Sequence, residues 1–298
     1  MSKTNRRMST HTTNKIADIC IYLIIGLLSA TCVLPFIHIA AKSVSEEVYV
    51  IANKVFLIPE GFILDAYKKV LNDASIIRSF FVSVWVTVLF TVLGMIITLC
   101  AAYPLSRKNL IGRKKITLFF MITMYFNGGM IPEYLLVNSL NLLDTMAALI
   151  LPLAFSAYNF LIMKTSLQTS IPESLIESAY LDGASEFRIL GNIIIPLSKP
   201  IIATLTLFYA VGRWNAYSDA LFYIKQNVNV RPLQLKLYNL VIASTESIQD
   251  TVEGTAMLTN PEVLKAACIM FATVPILCIY PFVQKYFVQG TLIGSVKE

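Results

Sequence analysis

Apolar residues occur along the chain in long blocks, and polar residues gather at the joints between them. Blocks at about 19–40, 80–103, 116–136, 145–165, 200–223 and 263–283 each approach the roughly 20 residues that carry a helix across about 30 Å of hydrocarbon. The pattern predicts an all-α, polytopic membrane protein with six transmembrane helices. Pro35 is expected to interrupt the first block near its end, and Pro200 to open the fifth. The first block is longer than a signal-peptide core and has no small-x-small cleavage site, so it reads as a retained first span. Residues 1–18 form an N-terminal tail, 19–288 the transmembrane domain and 289–298 a C-terminal tail.

The joints differ in character. Residues 42–79 mix both charges and are expected to form a short external layer of helices or turns. Residues 225–262 are also polar and external, with turn signals at Val230-Arg231-Pro232 and Thr259-Asn260-Pro261. Within the third block stand Asn127, Gly128, Gly129 and Pro132. They allow two readings, a kinked helix or a break that lines a transport path and acts as a gate.

Charge gives the blocks a direction. Lys3, Arg6, Arg7 and Lys15 precede the first span; Arg107, Lys108, Arg113, Lys114 and Lys115 follow the second; Lys285 and Lys297 follow the sixth. With six crossings these clusters share one side, which the positive-inside rule makes cytoplasmic, so both termini are expected inside. The net charge of +6 is therefore read as topology and not as a nucleic-acid groove. Only 14% of the 298 residues are charged and 56% are apolar, against about 25% charged in soluble domains. The mean hydropathy is +0.67. Five cysteines, none in a C-x-x-C pair, all fall inside apolar blocks and read as free, buried thiols, and two histidines cannot build a histidine-rich site. No nucleophile–base group, metal-ligand cluster or G-x-x-x-x-G-K-[ST] loop is present, so the chain is expected to be non-catalytic.

The joint between the fourth and fifth spans, residues 170–197, is the exception to a greasy chain. Ser170 and Glu173 have capping-box spacing around Pro172, which predicts a helix running toward Asp182. Gly183 permits a tight bend, and a second short helix is expected through Glu186 and Arg188 toward Asn192. Ile176, Tyr180, Gly183, Phe187 and Leu190 recur at helical spacing, so a mild bend would align them as one apolar stripe. That stripe either packs on the chain's own bundle or fills a groove in a partner.

These residues carry a resemblance. Glu177-Ser178-Ala179, Gly183, then Ile193 and Pro196 resemble the cytoplasmic motif of bacterial ABC importer membrane subunits. Ser178 stands for the motif's first alanine and Ile195 for its leucine. The likeness extends over most of the chain. Tyr103-Pro104-Leu105-Ser106-Arg107 is similar to the family's element after the second span. Phe126-Asn127-Gly128-Gly129-Met130-Ile131-Pro132 is similar to its oligosaccharide subgroup. Arg213-Trp214-Asn215 resembles a fifth-span element, and the segment from Gln289 to Lys297 resembles the family's terminus. The chain is identified as a carbohydrate-type permease subunit, similar to the maltose permease G subunit and to the lipo-oligosaccharide or complex-polysaccharide branch.

The resemblance implies a type I ABC importer permease fold in a bacterial cytoplasmic (inner) membrane, with residues 170–197 as a coupling helix pair. It implies a second, homologous permease, two ATP-binding cassette subunits and an extracytoplasmic solute-binding protein as partners. ATP and Mg2+ belong to the ATPases, and this chain binds no cofactor. Docking is assigned to Glu177, Ser178, Ala179, Tyr180, Asp182, Gly183, Phe187, Ile193 and Pro196. Candidate residues for the sugar path are Tyr158 and Asn159 in the fourth span and Trp214, Asn215, Tyr217 and Asp219 in the fifth, because a sugar needs donors, acceptors and aromatic faces. Packing between helices explains such residues equally well. The expected cargo is an oligosaccharide or polysaccharide fragment, including a uronate fragment derived from alginate. A permease for a polyol or glycerol phosphate, and an ion-coupled secondary transporter, remain alternatives.

Overall fold

The computed structural model describes the backbone of residues 4–250 and 261–295, and the side chains of 15, 17–242 and 262–281. Lys3, the 259–260 part of one expected turn, and Val296 and Lys297 of the terminal element lie outside the described residues. Every regular element described is helical. The chain divides into two compact units, Met1–Asn72 with Ala243–Phe271, and Asp73–Ile242 with Ala272–Glu298.

The first unit begins with α1 (Thr4–Ser43), which continues through Pro35, so the expected interruption does not occur. Proline removes one i→i−4 bond, here to the Thr31 carbonyl, and a membrane helix tolerates that loss. None of the most apolar window of α1 is buried within the chain. The short layer expected over 42–79 is present as α2 (Glu47–Ile51) and α3 (Asp65–Asn72). It is pinned to the end of α1 by Ser43, whose hydroxyl reaches Ala40 O at 2.7 Å and the Tyr67 hydroxyl at 2.9 Å. Backbone bonds from Glu46 N–H to Glu60 O and from Ile63 N–H to Val44 O close the intervening loop. Lys42 pairs with Glu262 at 3.5 Å, which ties the start of the last helix to this unit.

The second unit is organised on α4 (Ala74–Ser106), the continuous form of the second span. It starts six residues earlier than the apolar block because Asp73 caps it, its carboxylate accepting from Ser75 N–H at 2.7 Å and Ile76 N–H at 3.3 Å. The third, fourth and fifth blocks are each split into two helices, which corrects the single transmembrane helix expected for the fourth and fifth and takes the broken reading left open for the third. The third is α5 (Arg113–Tyr125) and α6 (Met130–Ser139); the fourth is α7 (Met146–Ile150) and α8 (Ala157–Ser170). After α9 (Glu173–Leu181), α10 (Glu186–Ile189) and α11 (Ile195–Leu197), the fifth is α12 (Lys199–Asn215) and α13 (Ser218–Tyr223). Residues 225–262 are more ordered than expected: α14 (Leu233–Asp250) follows a short 3-10 turn at Val228–Val230. The last helix, α15 (Pro261–Ser295), continues through Pro275 and Pro281 and takes up most of the tail expected from 289. Among the described residues, three helices are long and apolar enough to cross a membrane, within α1, α4 and α15. A fourth is reached if the segments Glu186–Leu197 and Lys199–Asn215, bent by 82°, are taken together.

Two buried clusters hold the second unit. One joins Tyr103 and Leu105 of α4 to Phe160 and Met163 of α8, Ile176 and Ala179 of α9, Ile189, Ile194 and Leu205. The other gathers Val82, Val86, Val137, Leu149, Tyr223 and Leu235 at the opposite end of α4. Between them Tyr209 of α12 lies against Gly94 of α4, where an added Cβ would meet its ring at 2.9 Å and Ala154 O at 2.9 Å. The Tyr209 hydroxyl accepts from Ser156 N–H at 3.2 Å, at the break in the fourth span, and bonds Thr98 Oγ1 at 2.7 Å. The hydroxyl thus satisfies one backbone N–H, that of Ser156, which the interruption takes out of the helical ladder.

Candidate functional site

The helix pair at 170–197 forms, with its turn at the expected glycine. Gly183 has φ +74, its N–H bonds Tyr180 O at 3.0 Å, and Ala184 N–H bonds Ala179 O at 2.9 Å. This is a left-handed C-terminal cap that only glycine adopts without cost, so it fixes where α9 stops. The helix start differs from the expectation. Pro172 is the N-cap residue and Ser170 belongs to the last turn of α8, so no Ser170–Glu173 capping box exists. Glu173 instead pairs with Lys108 at 2.5 Å.

The bend at Gly183 is sharp enough to split the apolar stripe. Ile176, Ala179, Ile189 and Ile194 are buried against α4 and α8, whereas Leu181 is 91% exposed and Phe187 is 87% exposed. Tyr180 is 44% exposed, whereas Leu190 is half-buried. Leu181, absent from the sequence assignment, is therefore one of two large apolar side chains left uncovered at the turn. The sequence signal for it was its position just before Asp182-Gly183. Glu177, Ser178, Asp182 and Gly183 are exposed on the same turn, Ile193 is half-buried and Pro196 is exposed.

Behind the turn, Glu186 clasps two tyrosines. The Tyr103 hydroxyl, on α4, donates to one carboxylate oxygen at 2.5 Å, and the Tyr180 hydroxyl donates to the other. The Tyr103 bond, then the Tyr180 bond, hold the Glu186 carboxyl below its ordinary value. The bond to Glu186 in turn pushes the Tyr180 hydroxyl up. A carboxyl depressed by folding stabilises the fold above the unfolded pKa and loses that contribution as pH falls through the folded value. Acidification below about pH 4 is expected to loosen 179–189, read as lower amide protection there relative to the intrinsic exchange rate at the same pH, and Glu186→Gln is expected to make that protection insensitive to the same acid step.

Two proline-linked irregularities aim the pair at the fifth span. The backbone widens to a π turn over Leu190–Ile194, and the chain then bends by 82° around Ser198 into α12. Pro196 and Pro200 lack the N–H groups that would close the i→i−4 ladder to Asn192 and Pro196, which accounts for the local change.

The candidate path residues separate into committed and open groups. Arg213 and Asp219 form a buried bidentate ion pair, at 2.5 Å and 3.1 Å, that bridges the break between α12 and α13. The Arg213 guanidinium also lies 5.7 Å from the centre of the Phe90 ring. Trp214 is buried, donates from Nε1 to Ala272 O at 3.2 Å, and meets Phe80 edge to face at 5.9 Å. Asn159 is buried on α8. Asn215 is exposed, with its Nδ2 donating back to Val211 O at 2.9 Å. Tyr158 and Tyr217 are exposed, and Tyr217 stacks on Tyr238 with ring centres 4.7 Å apart.

At the third span, the kink reading gives way to a full interruption over 126–129. Asn127 Oδ1 accepts Gly129 N–H at 2.8 Å, and Gly129 at φ +85 starts α6 with Pro132 in its first turn. Among the described residues, no three His, Cys, Asp or Glu side chains converge on a metal position.

Residues 13–293 match the family described as binding-protein-dependent transport system inner membrane component. The chain belongs to this family. It is a non-catalytic permease subunit of an ABC importer and a multi-pass membrane protein. Among its relatives, the polygalacturonan/rhamnogalacturonan transport system permease protein YtcP of Bacillus subtilis (strain 168) is 44% identical over 285 residues, covering 95% of this chain and 99% of YtcP. Protein LplC of the same organism is 43% identical over 286 residues, covering 95% of each. A solved chain from a bacterial ABC transporter involved in the import of the acidic polysaccharide alginate superposes with a TM-score of 0.83. That chain is 31% identical, and the match covers 92% of this permease and 98% of the other.

Proposed function

We propose that this permease forms half of a translocation path for an acidic, uronate-bearing oligosaccharide and is driven by separate ATPases. The observation that carries the reading is the likeness, over more than nine-tenths of the chain, to two transport-system proteins, one named for polygalacturonan/rhamnogalacturonan and one for import of the acidic polysaccharide alginate. In this reading the chain makes six crossings, three of them interrupted, with both termini in the cytoplasm of a bacterial inner membrane. It belongs to the maltose G-subunit and complex-polysaccharide branch. A second permease covers the unburied apolar face of α1, a solute-binding protein delivers the sugar, and two ATPases hydrolyse ATP with Mg2+.

Leu181 and Phe187 enter an apolar cleft of the ATPase, and Glu177, Ser178 and Asp182 meet its rim. Ala179, Ile193 and Pro196 set the angle of the pair, and the Tyr103–Glu186–Tyr180 clasp passes its movement to α4. Tyr158, Asn215 and Tyr217 offer the path exposed aromatic and amide groups, while Asn159, Trp214 and Asp219 shape it from behind. The break at 126–129 serves as the gate.

The test is reconstitution of the full complex with its binding protein and a panel of defined oligosaccharides. Galacturonate or alginate fragments are expected to raise ATP hydrolysis severalfold and to accumulate inside vesicles, with neutral fragments of equal length inactive. Stimulation by neutral sugars alone would overturn the substrate class. Uptake without any ATPase would overturn the coupling.

A further inference from the structure

A cavity of about 400 Å3 opens where the end of α4, the start of α5 and the α8–α9 link meet. Arg107, Lys108 and Arg113 line it, with Glu173 the one carboxylate among its lining residues and Ile176 an apolar wall. Lys108 is held by Glu173, but both side chains reach solvent, and so open a pair is weak enough for Lys108 to exchange partners. Arg113 donates one N–H to Arg107 O at 3.2 Å, and the rest of its planar fork is the geometry that suits a phosphate.

The loop that closes this cavity has a second property. At its tip stand Leu110 and Ile111, and Ile111 is 95% exposed. Gly112, at φ +79, then turns the chain into α5, where Lys114 and Lys115 are exposed. Two bare aliphatic residues between cations, a few residues past the end of the long apolar helix α4, match the polarity profile of the boundary between acyl chains and headgroups.

We propose that this cavity binds the phosphate headgroup of an anionic phospholipid, with Leu110 and Ile111 inserted beside its acyl chains. A free phosphate would use the cations but leave the aliphatic tip unexplained. Because Glu173 and Ile176 belong to α9, the bound headgroup braces the coupling pair, and the anionic lipid content sets how well ATP hydrolysis is coupled. This last link rests on the cytoplasmic placement and ATPase docking proposed above.

The experiment uses the assembled importer in phosphatidylcholine nanodiscs with increasing phosphatidylglycerol. Retained lipid is read by native mass spectrometry and coupling by ATP hydrolysis. Preferential retention of phosphatidylglycerol is expected, and Lys108→Gln with Arg113→Gln should lower that preference about 30-fold. Ile111→Ser should weaken retention with every charge in place. The double variant should also need more phosphatidylglycerol for half-maximal hydrolysis. Retention unchanged in both variants overturns the site, and full displacement by inorganic phosphate makes it a small-anion site instead. Loss of ATPase co-purification with lipid retention intact makes the loop a protein contact. In sealed right-side-out and inverted vesicles, with the five native cysteines replaced by serine, labelling of Asn109→Cys by an impermeant maleimide is expected from the cytoplasmic face. Labelling from the outer face alone overturns the placement and its link to the ATPase, without touching the lipid measurement.

Discussion

Asp219→Leu is expected to lower the apparent melting temperature of the purified complex by roughly 10 °C. Asp219 and Arg213 are 9% and 2% exposed at their side chains and share two hydrogen bonds, so leucine strands a guanidinium with no counter-charge. Removing one partner of a buried pair costs about 3–5 kcal/mol, and each kcal/mol moves the midpoint of a domain this large by about 2–4 °C. Replacing both, as Arg213→Met with Asp219→Leu, should recover most of the loss, because an apolar pair has no desolvated charge to satisfy. Thermal unfolding of the three variants beside the unsubstituted complex measures this. A single variant that melts with the unsubstituted complex would mean that water or another group already satisfies Arg213.

The second large effect is expected at Gly183. No atom lies within 4 Å of the Cβ that a substitution would add, so crowding is not the cost. The cost is conformational. At φ +74 a side chain loses about 1–2 kcal/mol, and a β-branched one more. Gly183→Val should therefore unwind the cap, swing Leu181 and Phe187 off their positions, and reduce substrate-stimulated ATP hydrolysis at least tenfold while membrane insertion is unchanged. Gly183→Asn, which tolerates the left-handed region, should fall between the two. Co-purification of the ATPases and hydrolysis rate separate these outcomes. A fully coupled Gly183→Val complex would remove the helix pair from the energy-coupling surface.

Hydropathy and glycine spacing made much of this architecture legible. The residues of α1, α4 and α15 read directly as long apolar blocks, and Gly183 announced the turn between α9 and α10. Asn127-Gly128-Gly129 offered the break at 126–129 as one of two readings, but the breaks at 151–156 and 216–217 were not announced, because hydropathy sums side chains and is blind to whether the backbone between them stays helical. Phe126 and Leu151 are as apolar as their helical neighbours. α14 was hidden for another reason. Leu233, Leu235 and Leu237 alternate with polar residues, a spacing of two that draws no helical stripe in a segment read as polar and external, yet all three are buried. The role of Tyr209 required Gly94, Thr98 and Ser156 to be brought together by folding. At the Gly183 turn, a mild bend would have kept Ile176 and Phe187 on one stripe; the left-handed cap placed one inside and the other outside.

The interrupted spans bear on how the chain enters its membrane during synthesis. Each break leaves first-turn amides and last-turn carbonyls that a helix would have paired, and hydrocarbon supplies no water to satisfy them. The α7–α8 break finds its partner in Tyr209, a residue translated some fifty positions later. α4 can therefore rest in lipid as soon as it emerges. On the six-crossing reading proposed above, the Ser156 amide has no such partner until α12 arrives, so the fourth block would enter together with the fifth and not ahead of it.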